Sequence, residues 1–279
     1  GRQTHELNVK PFVPSVLKEI LAYYNPNYTK EDLLALYAFT GGVAKYVEYF
    51  IDNKAISKDS MINLVCCRDS MFFNEGKNTL IEEFGRDYGV YFSILTAIAN
   101  GHTKRSEIED IVGKEIGGYL TKLETDYNII QKKQPLFERT NSSNVRYVLF
   151  DNFYIFWFRF IYKYNYMIEI GAYEKLKNII NRDYDVFTGL SLERYFLEVL
   201  KESGEYTRIG GWWDRKGENE IDIIAEDEIS QSAKFFEVKR QQRRIELDVL
   251  EEKKIKFLAA TKQFKGYSIS CRGLSMDDM

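Results

Sequence analysis

Residues 188–279 constrain this chain more than any other stretch, because their hydrophobic periodicity changes in a fixed order. Leu192, Phe196, Val199 and Leu200 recur at helical spacing over 192–202. Residues 206–213 then read as a β-run closed by the turn Asp214-Arg-Lys-Gly217. Further strands are expected over 219–225 and 234–240, an amphipathic helix over 244–257 and a last strand over 267–271. The order α-β-β-β-α-β has one sheet to build and two helices with which to cover it.

Strand alternation decides which side chains meet. On the second strand Glu220 and Asp222 are expected on one face, with Ile221 and Ile223 on the other. On the third, Phe235, Glu237 and Lys239 share a face opposite Phe236 and Val238. Neighbouring strands would bring Asp222, Glu237 and Lys239 to one point, with Glu193 of the preceding helix adding a carboxylate from the side. Two or three carboxylates offer hard oxygen ligands to Mg²⁺ or Mn²⁺. Such an ion polarises a scissile phosphate and acidifies water, and Lys239 would orient that water or offset charge developing on phosphate oxygens. The competing reading is a solvated strand face carrying a cross-strand ion pair.

The rest of the chain reads as three blocks. Residues 1–76 are helical but broken at Thr40-Gly-Gly42, with Thr29 as a helix N-cap and acids in the turn behind it. Residues 77–150 give helical segments over 79–83, 91–99, 106–112 and 114–125, then β-runs over 129–132 and 145–150 joined by a polar turn. Helices followed by a hairpin are the order of a winged helix-turn-helix. Between Asp87 and Phe150 eight Lys/Arg balance eight Asp/Glu, and the expected recognition helix offers only Lys114 and Lys122. DNA binding and protein packing therefore both stay open for that module. Residues 151–187, aromatic from Phe153 to Tyr166 and polar over 178–185, read as a connector to the last domain, 188–279.

Composition removes other classes. Net charge is −3, so no global basic field coats nucleic acid, although Lys239 to Lys256 holds seven cations against four acids and includes Arg240, Arg243 and Arg244. Three cysteines and two histidines, His5 and His102, leave no disulfide framework and almost no material for histidine metal or triad chemistry. No run reaches the ~20 apolar residues of a membrane span, and the N-terminus lacks a signal-peptide core. A cytoplasmic protein is expected.

Asp222 and, after fourteen intervening residues, Glu237-Val238-Lys239, behind a helix bearing Glu193, resemble the PD-(D/E)xK nuclease superfamily. The proline of that name is replaced by Ile221. The resemblance implies a restriction-endonuclease-like sheet whose matching residues bind metal and activate water.

A second resemblance spans nearly the whole chain. Thr40-Gly-Gly-Val-Ala-Lys-Tyr46, Asp151-Asn-Phe-Tyr-Ile-Phe-Trp-Phe-Arg159, Gly189-Leu-Ser-Leu-Glu193 and Gly273-Leu-Ser-Met-Asp-Asp278 are similar to the C-terminal half of an archaeal-type AAA/STAND-like P-loop ATPase. Ala44 stands where that family often has proline. The resemblance implies an ATPase core, a winged helix and a nuclease-related C-terminal domain, in that order. Neither Gly76-Lys77-Asn78 nor Gly113-Lys114-Glu115 is a P-loop, and the chain opens at Gly1-Arg2. A fragment is expected, with 1–76 the helical lid remnant and ATP bound only by a core outside it. The fold class expected is thus α+β multidomain.

Two functions follow: a Mg²⁺- or Mn²⁺-dependent DNA endonuclease coupled to the ATPase, or a catalytically inactive module that binds DNA or protein and regulates that ATPase. A transcription factor acting through the winged helix is a third, weakened by the scarcity of cations at Lys114 and Lys122. Expected partners are DNA, the ATPase core and a second copy of the chain, with Lys114, Lys122, Arg240, Arg243 and Arg244 as nucleic-acid contacts and no membrane.

Overall fold

The computed structural model describes residues 9–140 and 142–279; His5 and the opening Gly1-Arg2 lie outside them. The chain is a mixed α+β protein, with two small sheets and twelve α-helices among the described residues. Among the described residues no helix is long and apolar enough to cross a membrane.

Five helices come first: α1 (Pro14–Tyr24), α2 (Lys30–Thr40), α3 (Ala44–Asp52), α4 (Lys58–Val65) and α5 (Met71–Phe84). Thr29 caps α2 through a reciprocal pair of bonds with Asp32. At the other end Gly41 takes a left-handed φ of 59°, which costs a glycine nothing. A Cβ on Gly41 would lie 2.3 Å from Asp151 Oδ1, and one on Gly42 2.2 Å from the Phe12 carbonyl oxygen. The Thr40-Gly-Gly42 break is therefore a packed corner at which distant segments meet.

Three further helices, α6 (Tyr88–Ala99), α7 (Arg105–Val112) and α8 (Gly117–Thr125), lead into the antiparallel hairpin β1 (Ile130–Lys133) and β2 (Arg146–Leu149). Helix α6 buries Tyr91, Phe92, Ile94, Leu95, Ala97, Ile98 and Ala99 and keeps a narrow wet stripe at Gly89, Ser93 and Thr96. The segment expected over 114–125 begins its helix only at Gly117, after Gly113 closes α7 with a φ of 75°.

The aromatic run forms α9 (Asn152–Phe156), a wide π-helical turn over Trp157–Tyr162, and α10 (Asn165–Glu169). Trp157 donates its indole N–H to the Phe72 carbonyl at 2.8 Å and lies over Gly76, where a Cβ would come within 2.5 Å of the ring. Next comes α11 (Tyr173–Glu202), thirty residues without a break. The polar stretch over 178–185 does not end it, because Leu176, Ile180, Tyr184, Phe187, Thr188, Ser191, Leu192 and Tyr195 keep an inward stripe at three-and-four spacing. The boundary expected at 187/188 falls in the middle of this helix, and that at 76/77 falls inside α5. One apolar core joins Leu17 to Met276 across all four blocks.

The second sheet contains β3 (Arg208–Trp213), β4 (Glu220–Asp227), β5 (Ser232–Val238) and β6 (Ser268–Leu274), with α12 (Leu247–Thr261) between the last two strands. The order is β3-β4-β5-β6, antiparallel except for the parallel pair β5/β6. Phe236 and Val238 join the main core on the α11 side, whereas Trp212, Ile224, Ala233 and Phe235 pack with Leu250 and Phe257 of α12. The sequence order α-β-β-β-α-β is thus the order observed.

Candidate functional site

Strict alternation fails on β4, and the failure shapes the site. Gly210 pairs Ile224 but Trp212 pairs Ile221, so Gly211 faces two residues, Asp222 and Ile223. This bulge resets the alternation. Ile221 and Ile224 both pack towards α12, while Ile223 enters the core beside α11. Ile221 and Ile223, expected on one face, lie on opposite faces. Gly211 suits the position, since a Cβ there would stand 3.2 Å from the Asp222 carbonyl oxygen.

The β4/β5 ladder runs from Ile223↔Phe236 to Asp227↔Ser232. Where it stops, the Asp222 carboxylate takes over and accepts the Val238 amide through Oδ2 at 2.7 Å. Glu237 is buried, and its Oε2 accepts the Glu246 amide at 2.7 Å. Lys239 places its Nζ 3.7 Å from Asp222 Oδ2 and 3.5 Å from Glu237 Oε1, and its side chain stays 38% exposed. The three residues selected by alternation are therefore together at the edge of solvent. Burial pushes the Asp222 carboxyl above its ordinary range, against the opposing pull of the Val238 amide and Lys239. Burial alone would lower Lys239, but the charges of Asp222, Glu237 and Glu193 outweigh it and hold the ammonium above its usual value.

Glu193 on α11 approaches from the side. Burial, then the charges of Asp222 and Glu220, push its carboxyl up to about 8. The set Glu193, Asp222 and Glu237 is nevertheless not drawn into one ligand sphere: among the described residues no three His, Cys, Asp or Glu side chains group closely enough to hold a metal ion. The reason is local. Asp222 and Glu237 are each tied to a backbone amide, Lys239 stands beside both, and three carboxylates repel one another. The donor chemistry of Asp222 and Glu237 fits a hard divalent cation. A three-carboxylate ligand set would require these side chains to rearrange.

The expected nucleic-acid cations divide. Arg240 is a structural strut: it donates to Thr188 Oγ1 at 2.6 Å, pairs with Glu31 and with Asp185 at 3.1 Å, and lies over the Tyr184 ring. Its alternation sends it away from Lys239 and into α2 and α11, so it is not available to a nucleic acid. Arg243 and Arg244 are exposed on the turn that follows, Arg243 donating to Gln241 Oε1 at 3.0 Å. Lys114 bonds the Tyr119 hydroxyl at 3.1 Å and lies over its ring. Lys122 is exposed in a shallow depression of about 350 Å³ shared with Asp87, Arg105 and Glu115. His102 is exposed and the three cysteines are free thiols.

Two groupings escaped the sequence reading. Arg194, next to Glu193, donates to Asn152 Oδ1 at 3.0 Å and to the Leu149 carbonyl at 2.8 Å, which fixes α11 against the corner of Gly41 and Asp151. The separate runs at 40–46 and 151–159 were its only trace in the sequence. The second is the docking of the hairpin on the sheet. Leu136 donates its amide to the Gly211 carbonyl at 2.8 Å, and Asn144 accepts the Trp213 indole N–H at 3.0 Å. Arg146 grips Glu220 with two bonds, 2.6 and 3.0 Å, and stacks on Trp213. Nothing in the polar turn at 140–144 announced a partner.

Comparison with known proteins adds a coarse placement. An uncharacterized protein of Methanocaldococcus jannaschii is 31% identical over 249 residues, which cover 86% of this chain and 54% of that protein. The chain thus spans about half the length of the curated relative it matches. No solved structure matches. Residues 157–256 match DUF234, described as archaea bacterial proteins of unknown function, and the matched stretch includes Glu193, Asp222, Glu237 and Lys239.

Proposed function

We propose that residues 173–279 form a PD-(D/E)xK nuclease-like unit that cleaves DNA phosphodiesters with Mg²⁺ or Mn²⁺. The observation that carries this reading is the meeting of Asp222, Glu237 and Lys239 where β4 and β5 part, with the Lys239 ammonium within 3.7 Å of both carboxylates and open to solvent. Asp222 and Glu237 would hold the cation, with Glu193 as a third oxygen donor. The ion, when bound, supplies Lewis-acid polarisation of the phosphate and acidification of water. The chain's own part is positional. The Val238 and Glu246 amides fix one oxygen of each carboxylate, and the other oxygens are left for the site. Lys239 offsets charge gathering on the phosphate oxygens. In the same reading, residues 88–149 are a winged helix and residues 9–65 belong to the lid of an ATPase core carried by a longer protein, which would gate the cleavage.

Mg²⁺ or Mn²⁺ binding, followed by nicking of plasmid and branched DNA, tests the proposal against Glu237→Ala. Metal-dependent cleavage lost in that variant is expected. Absence of metal binding at millimolar concentration overturns it. A second reading, a non-catalytic regulatory module of the ATPase, is favoured by one observation: Lys239 already pairs with both carboxylates, which satisfies them without a cation.

A further inference from the structure

We infer that Lys133, on the hairpin rather than on the nuclease-like unit, is a phosphate-binding residue that holds a DNA backbone beside the candidate site. The inference rests on the nuclease reading and names the part of the chain that grips its substrate. Four observations lead to it.

Lys133 pairs directly with Arg146 across the β1/β2 ladder, so the two side chains emerge on one face of the hairpin. Arg146 is pinned on Glu220, two residues before Asp222, so that face is turned towards the acidic cluster. The hairpin connection is docked on β3 through Leu136 and Asn144, and Phe137 packs on Phe257 of α12 and on Phe264. These contacts seat the hairpin that carries Lys133 on the second sheet and α12.

The cations around it are all engaged. Arg194 bonds Asn152 and Leu149, Arg146 bonds Glu220, and Lys201 pairs with Glu198 at 2.8 Å. Among the described residues the Lys133 side chain has neither a hydrogen bond nor an ion pair, although the residue is half-buried. Its ammonium is not among the sealed unpartnered atoms, so it still reaches solvent. Burial, with Arg194 and Lys201 beside it, draws the amine down to about 8, against the weaker opposing pull of Glu198 and Glu193. An ammonium kept in such surroundings without a partner costs stability, and an arriving anion would relieve that cost. The anion that belongs beside a phosphodiesterase site is a backbone phosphate.

The test is fluorescence anisotropy of a fluorescein-labelled 20-base-pair DNA duplex with the full chain, in EDTA, between 50 and 200 mM salt. Lys133→Met is expected to weaken binding by about tenfold at low salt, the worth of one charge-assisted bond. It should also reduce the slope of log affinity against log salt by about one, as loss of one phosphate contact does. Lys133→Arg should keep both values, and Lys18→Gln on α1 should match the wild type. The melting temperature of Lys133→Met should stay level or rise, because an unpaired half-buried charge has gone. A purely structural lysine would lower it. Binding within twofold of wild type in Lys133→Met, or no DNA binding by the wild type, overturns the inference. Loss of cleavage in Glu237→Ala with unchanged cleavage and binding in Lys133→Met would remove Lys133 and leave the nuclease reading standing. The reverse pattern would remove the nuclease reading.

Discussion

Replacing Lys239 by methionine tells a cation site apart from an ion-pair scaffold. The substitution keeps the apolar stem and deletes one ammonium that stands 3.5 and 3.7 Å from two carboxylates. At an effective dielectric constant of about 20 each contact is worth about 4 kcal/mol before solvent and desolvation are counted. Solvent counts here, because the lysine is 38% exposed, while Asp222 and Glu237 are 14% and 7% exposed. Exposed pairs retain under about 1 kcal/mol and broken buried pairs cost about 3–5 kcal/mol. Two contacts of intermediate burial therefore give about 2 kcal/mol for Lys239→Met at neutral pH, or about 5 °C in melting temperature for a chain of this size. The assay is thermal unfolding at pH 7 in low salt, with and without millimolar Mn²⁺. If the carboxylates form a cation site, Mn²⁺ recovers most of the lost stability in the variant and stabilises the wild type less, since only the variant leaves Asp222 and Glu237 uncompensated. If the cluster is an ion-paired scaffold, the variant stays destabilised with or without metal. A variant as stable as the wild type in low salt would refute the electrostatic reasoning itself.

Three further outcomes are expected. Asp151 is raised by burial from 3.8 to about 6, against the pull of the Phe153 amide and Arg194. Its stabilising contribution is therefore present below the unfolded value and lost as pH rises through about 6, so Asp151→Asn should gain on the wild type between pH 4 and 6 and level off at up to about 3 kcal/mol; a pH-independent difference in urea unfolding would contradict this. Arg240→Ala should cost about 3 kcal/mol in chemical denaturation, because Glu31 already holds one buried unpartnered oxygen and would lose its counter-ion. The double variant with Glu31→Gln should recover part of that loss, and strictly additive losses would rule out the strut. Gly41→Ala meets both a left-handed φ of 59° and Asp151 Oδ1 at 2.3 Å, for about 1 kcal/mol of backbone cost plus about 1–3 kcal/mol of crowding. In an Asp151→Ala background only the backbone part should remain, which a double-mutant cycle measures directly.

What the sequence determined by itself was local. Period-two and period-3.6 patterns are properties of neighbouring residues, and they sufficed to order the last six elements and to select Asp222, Glu237 and Lys239 from forty-two acids and thirty-nine Lys/Arg. The cap at Thr29 and the glycine corner at 41–42 were legible for the same reason. Tertiary structure alone decided the rest. The bulge opposite Gly211 exists only in the pairing of two strands, so no pattern within β4 could place Ile223 on the face opposite Ile221. A polar run such as 178–185 looks like a helix end until the stripe from Leu176 to Tyr195 is seen to have a core to enter. Arg240 and Lys239 are adjacent cations in the sequence, yet one is spent on Glu31 and Asp185, contributed by α2 and α11, while the other stands at the site. Partners that lie 16 residues away, as Val238 is from Asp222, or 74 away, as Glu220 is from Arg146, leave no periodic trace, because what brings them together is burial of a shared core.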